Sequence, residues 1–247
     1  MRARQRARRI RPTASWPRNR TELFEAISEL TRSGWRTLPD GYGGTGGPGV
    51  YLEHQLGFDP KGADRPDALG WELKWYTERT NLITLFHKTP DNSPEIIRYM
   101  VRKYGQRNKA GLLSFRHTID PASRSEAQKF MPHYDSGLLS VRPRKGNGLI
   151  PRWSEQSLLA AAGAKLRRLL LVKGERKGSE IRFVQADAFQ EFSLTDFIAE
   201  VLRGTILIDF DAREQKPGSI GMRDHGTKFR IPPVQVCRLY MDKNRIR

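Results

Sequence analysis

The sequence predicts a mixed α/β (α+β) fold, and three observations carry that expectation. Some segments repeat apolar residues at the helical period, while others alternate apolar with polar residues as half-buried strands do. Helix-like and strand-like segments are interleaved from residue 21 to residue 240 rather than gathered into separate halves. Glycine and proline clusters punctuate the boundaries between them. The expected architecture is a mixed β-sheet flanked by helices.

Taken in order, residues 1–19 carry arginines without acids and without apolar periodicity, which predicts a disordered basic arm; 20–247 then forms the folded domain. Thr21 is the expected N-cap of a helix with Leu23, Ala26, Ile27 and Leu30 at helical spacing. The glycine-rich run 41–49 leads into a short amphipathic helix bearing Glu53, and 71–75 and 82–86 read as adjacent strands. Ser93-Pro94 opens a helix with Ile97, Met100, Val101 and Tyr104 as its buried stripe, and Gly105 ends it. A strand at 112–119 precedes loops with short strands over 120–152. Ser154 starts a helix through Leu166, followed by strands at 168–173 and 180–186. The clearest helix spans 193–203, where Leu194, Phe197, Ile198, Val201 and Leu202 line one face and Gly204 closes it. A strand at 206–210, a polar loop at 211–226, and strands near 228–231 and 234–240 complete the chain.

Composition narrows the function. No apolar run reaches the length of a membrane span, and the N-terminus lacks the apolar stretch of a secretory signal. A single cysteine, Cys237, excludes an internal disulfide and a cysteine-based zinc cage, in keeping with a reducing, cytoplasmic setting. Its neighbours Val234, Val236 and Leu239 predict a core position for it. The net charge is +17; eight arginines in the first twenty residues supply +8 of it and leave +9 elsewhere. Such an excess points to a polyanionic partner, nucleic acid before membrane, with charge for solubility as the plainer alternative.

The segment 66–76 carries the chemistry. Trp71, Leu73 and Trp75 alternate with Glu72 and Lys74, so a strand here puts the glutamate and the lysine on one face. Asp67 lies five residues before Glu72, with Gly70 between them to let the chain turn back. Two carboxylates offer the hard oxygens that Mg²⁺ prefers, the Leu73 carbonyl could add another, and Lys74 would orient a water against a phosphodiester. Glu53, on the preceding helix, is a candidate third carboxylate. The spacing Asp-x4-Glu-x-Lys arises by chance in roughly one chain of this length in twenty. By itself it leaves open an ordinary edge strand with a salt-bridged solvent face. Other signals carry less. Gly41-x-Gly43-x-x-Gly46 lacks the strand a dinucleotide fingerprint follows, and His54, His87, His117 and His133 lack zinc-ligand spacing. Trp16, Trp35, Trp71, Trp75 and Trp153 read as packing residues.

Ordered blocks along the chain resemble the MvaI/BcnI family of type II restriction endonucleases, MutH-like members of the PD-(D/E)XK nuclease superfamily. The blocks are Gly47-Pro48-Gly49 with Glu53, Pro66-Asp67 with Glu72-x-Lys74, and Leu82 to Phe86 with Lys88 and Pro90. Arg102-x-Tyr104-Gly105, Asp224-His225-Gly226-Thr227 and Phe229-Arg230-Ile231 come after them. The resemblance implies a catalytic lobe holding Asp67, Glu72 and Lys74 and a recognition lobe that clamps duplex DNA. It also implies a Mg²⁺-dependent monomer that cuts a short GC-rich site and works beside a cognate methyltransferase. Asp224 and His225 would belong to a base-reading loop, flanked by Arg223, Lys228 and Arg230. Asp can accept from cytosine N4 and His can donate to guanine. Arg223 stands where the family commonly has a histidine. A MutH-like repair nickase and a basic DNA-binding protein without catalysis are the competing readings.

Overall fold

The computed structural model describes residues 17–44, 46–58, 69–123 and 129–246. Residues 1–16 of the expected arm, and Asp67, lie outside the described residues. The first elements are α1 (Arg20–Arg32), β1 (Arg36–Thr37), α2 (Gly47–Gln55), β2 (Glu72–Tyr76), β3 (Ile83–His87), α3 (Glu95–Tyr104), β4 (Gln106–Arg107) and β5 (Leu113–Ile119). Then come β6 (Phe130–Asp135), β7 (Leu138–Pro143), β8 (Arg152–Ser154), α4 (Glu155–Leu166), β9 (Arg168–Lys177) and β10 (Glu180–Phe192). The chain finishes with α5 (Leu194–Arg203), β11 (Leu207–Glu214), β12 (Met222–Asp224), β13 (Lys228–Ile231), a 3-10 helix (Pro233–Leu239) and β14 (Tyr240–Ile246). They divide into two compact units, one of residues 1–81, 164–192 and 240–247, the other of 82–163 and 193–239.

The first unit is built on a sheet of order β1-β10-β9-β2, with β14 also paired to β10. β2 runs parallel to β9, and the remaining pairs are antiparallel, so the sheet is mixed as expected. One face is apolar. Leu73, Leu170, Val172, Ala186 and Ala188 point into a core closed by Leu23, Ile27 and Leu30 of α1 and Tyr51 and Leu52 of α2. The cap of α1 is Asn19, not Thr21. Asn19 is extended (φ −146°), and its Oδ1 accepts from the Glu22 backbone N–H at 3.0 Å. Glu22 in turn accepts from the Asn19 side chain at 2.8 Å, so the last residue of the expected arm already belongs to the helix start.

The second unit contains a sheet of order β3-β13-β11-β5-β4 with β12 on β11, antiparallel throughout, and a smaller sheet β6-β7-β8. Phe86, Phe197 and Phe229 pack together with centroids 5.0–5.5 Å apart. Trp153 joins them, its indole N–H donating to the Lys88 carbonyl at 2.9 Å, as a buried tryptophan requires. The helix expected from Ser193 is α5, with Ser193 as its cap: its Oγ accepts from the Asp196 N–H at 3.1 Å.

Further expectations are corrected. The strand read at 206–210 continues to Glu214, and β12 folds back on it, so most of the expected polar loop is a hairpin with its tip at 215–221. The strands read at 168–173 and 180–186 are longer, reaching Lys177 and Phe192. The strand read at 234–240 is instead a 3-10 helix that leads into β14. Three residues per turn bury Pro233, Val236 and Leu239, every third position, and turn Val234 (73% exposed) and Cys237 outward. Cys237 is therefore a surface thiol, not a core residue. Among the described residues no helix is long and apolar enough to cross a membrane.

Candidate active site

β2 is the outer strand of its sheet and carries Glu72 and Lys74 on the face away from the apolar core. The two-residue period delivers the expected pairing: the Lys74 ammonium donates to Glu72 Oε1 at 2.5 Å. Glu72 is only 2% exposed, whereas the Lys74 side chain keeps 25% of its surface. A buried carboxylate is costly unless paired and hydrogen-bonded, so the lysine offsets much of that cost.

The strand is pinned from its other face. Trp71 and Leu73 are buried in the core, and Trp75 packs edge-on against Phe183 with centroids 5.9 Å apart. Trp75 occupies space that Gly174 of β9 leaves open; a Cβ there would stand 2.2 Å from the indole. The turn entering β2 places Leu69 and Gly70 at positive φ (51° and 84°), which accounts for the glycine. Cross-strand register carries the Glu72 face onward: Glu72 lies beside Leu169 and Leu169 beside Phe189, while Lys74 lies beside Leu171 and Leu171 beside Asp187. Asp187 is buried and accepts from Gln185 at 2.6 Å and from Arg245 at 3.1 Å. Glu53 sits on α2, the helix whose Tyr51 and Leu52 close the core on the opposite face. Among the described residues no three His, Cys, Asp or Glu side chains gather around one point.

The other expected site residues lie in the second unit. Arg223 and Asp224 are on β12, paired across from Arg213 and Ala212 of β11. His225 comes next in the turn, its backbone N–H donating to the Asp211 carbonyl at 3.0 Å. Asp224 accepts from the Gly226 N–H at 2.9 Å, and partial desolvation lifts its carboxyl above the ordinary aspartate range. The Gly226 N–H and His225 oppose that rise, and Asp211 adds to it. The residue as a whole remains exposed, so the desolvation is local to the turn.

Lys228 and Arg230 share an open sheet face with residues that sequence reasoning missed. Arg230 pairs with Asp209 at 3.3 Å, Lys228 with Asp211 at 3.7 Å, and Arg116 with Asp211 at 2.8 Å. Thr118 adds a hydrogen bond to Asp209 at 2.9 Å. The alternation that could have found them is present in 207–214: Asp209, Asp211 and Arg213 alternate with Ile208, Phe210 and Ala212.

A buried carboxylate held beside a lysine on one strand suits phosphodiester hydrolysis, and the half-buried charged rows of the second unit suit a polyanionic partner. A family model for MvaI/BcnI restriction endonucleases matches residues 24–240. The chain belongs to the MvaI/BcnI restriction endonuclease family. As an MvaI/BcnI protein it is a type II site-specific deoxyribonuclease. Two solved structures are similar to it. A complex of restriction endonuclease MvaI with its cognate DNA substrate matches with a TM-score of 0.76 at 22% identity, covering 92% of this chain and 98% of that one. MvaI in the absence of DNA matches with a TM-score of 0.58 at 20% identity, covering 95% and 100%. At these identities the likeness speaks to the MvaI/BcnI fold alone. No curated protein sequence matches the chain.

Proposed function

We propose that Asp67, Glu72 and Lys74, assisted by Glu53, are the cutting residues, and that they act with Mg²⁺ on duplex DNA. Arg223, Asp224, His225, Lys228 and Arg230 read a short GC-rich sequence in this proposal. The observation that carries it is the 2.5 Å contact between the Lys74 ammonium and the buried Glu72 carboxylate. The pair sets a carboxylate and an ammonium side by side on one strand, and the carboxylate oxygens are the hard donors Mg²⁺ selects. Asp67, five residues earlier, supplies the second carboxylate, and the Leu73 carbonyl a further oxygen. Magnesium, when bound, acidifies water and polarises the phosphoryl oxygen.

The protein's own groups do the rest. Lys74 orients the attacking water and offsets negative charge that builds on the phosphate. Asp224 accepts from cytosine N4, and His225 donates to guanine N7 or O6. Lys228 and Arg230 are tied to Asp211 and Asp209, which restrains their side chains on the sheet. The positive charge outside the arm supports a duplex DNA partner. By family likeness the enzyme acts as a cytoplasmic monomer, with a methyltransferase of matching specificity protecting the host DNA.

Glu72→Ala and Lys74→Ala test the assignment. Each is expected to slow Mg²⁺-dependent cleavage of a plasmid by about 10²–10⁴-fold or more while duplex binding persists. Fragments produced at the wild-type rate by either variant refute it.

A further inference from the structure

The site holds one buried polar group that the chemistry above does not use, the hydroxyl of Tyr240. Tyr240 opens β14 opposite Phe192 of β10. Its ring packs on Phe189 and Phe192, with centroids at 5.3 and 5.9 Å. Phe189 is in register with Leu169, and Leu169 with Glu72, so the three share one face of the sheet. That face is the one opposite the core, because the alternate residues Leu73, Leu170 and Ala188 are the ones inside it. Glu191, at φ 62°, breaks the alternation between Phe189 and Phe192, and the contact of the Tyr240 ring with Phe189 seats it on the Glu72 side.

Tyr240 is 8% exposed, and its buried hydroxyl has no hydrogen-bond partner among the described residues. An orphaned hydroxyl carries a desolvation penalty that phenylalanine in the same aromatic nest avoids, so packing does not explain it. Burial first, and the Glu72 charge second, push the phenol well above its usual range, which leaves it a hydrogen-bond donor at every working pH. The ring contact with Phe189, two strands over from Glu72 on the same face, is the geometry that brings Tyr240 to this side.

We propose that Tyr240 is a positioning residue of the nuclease site, its hydroxyl donating a hydrogen bond to an oxygen gathered at Glu72 when DNA and metal are bound. That oxygen is a water or a phosphate oxygen; both present the same acceptor. The inference rests on the reading of Glu72 given above.

Three proteins are compared: wild type, Tyr240→Phe and Glu72→Gln. Thermal unfolding is measured without metal and with Mg²⁺ added. Single-turnover cleavage is measured at saturating duplex across a Mg²⁺ series. For Tyr240→Phe the metal-free Tm is expected to stay level or rise, since an unpaired buried hydroxyl is removed. Its cleavage rate at saturating Mg²⁺ is expected to fall about 3–10-fold, the cost of one lost hydrogen bond. A wild-type rate in Tyr240→Phe overturns the proposal. So does a lowered metal-free Tm with an unchanged rate per folded molecule, which assigns the residue to packing alone. Wild-type cleavage by Glu72→Gln marks a different failure, that of the site itself.

Discussion

A carboxylate accepts from a cytosine amino group most strongly while it is ionised, and Asp224 is lifted above the ordinary aspartate range by partial desolvation in its turn. Cleavage at the cognate site is therefore expected to weaken as pH falls through that raised pKa, at a higher pH than an unperturbed aspartate would give. Asp224→Asn should cut poorly at all pH values and lose this dependence; an unchanged acid limb in its pH profile contradicts the assignment. The linkage has a definite sign. A folded pKa above the unfolded one favours the protonated state, so its stabilising contribution is present at low pH and lost as pH rises through the folded value. Asp224→Asn should accordingly unfold at or above the wild-type temperature at neutral pH. Individual site residues were legible in the sequence to different degrees. Glu72 and Lys74 could be read because a strand's period acts over two residues. Asp224 and His225 were singled out through family resemblance alone, with no sequence pattern pointing to them. Tyr240 was beyond reach, because pairing across distant strands, an irregular residue at Glu191 and a ring contact on Phe189, not sequence spacing, bring it to the Glu72 face.

Among elements, β2 owes its orientation to a close packing against β9. Gly174→Ala would drive a methyl group into Trp75 and toward the Arg182 carbonyl, 2.7 Å away. Because carbonyl and indole cannot both yield, the outer strand should shift. Both Tm and the cleavage rate are expected to drop, and a fully active, equally stable Gly174→Ala enzyme would show that β2 is not held this way. At α5, Ser193→Ala removes the bond to the Asp196 N–H and is expected to cost about 0.5–2 kcal/mol in chemical denaturation, with cleavage per folded molecule unchanged. Strong helical periods made α3 and α5 readable directly. The segment 211–226 misled because Asp211, Arg213 and Glu214 read as loop residues, although they belong to a strand with one polar face. The segment 233–239 misled for another reason: its apolar positions Val234 and Val236 alternate like a strand, while the 3-10 period decides which are buried.

At the scale of the whole molecule, the excess positive charge bears on encounter with DNA and the proposed cation site on cleavage. With +17 overall, binding to duplex is expected to weaken by about 10³-fold or more between 50 and 200 mM salt if six to ten phosphates are neutralised. Deleting residues 1–16, which carry six arginines, should flatten that dependence; an identical slope would mean the arm does not touch DNA. The proposed cutting site requires Asp67 and Glu72 to meet at one cation beside Lys74. Diffraction from crystals of the protein with duplex DNA and Ca²⁺, which holds the site without turnover, reads that directly. The expected result is an ion about 2.3–2.6 Å from a carboxylate oxygen of Asp67 and of Glu72. Carboxylates of Asp67 and Glu72 on opposite sides of the sheet, with the ion bound elsewhere, would contradict it.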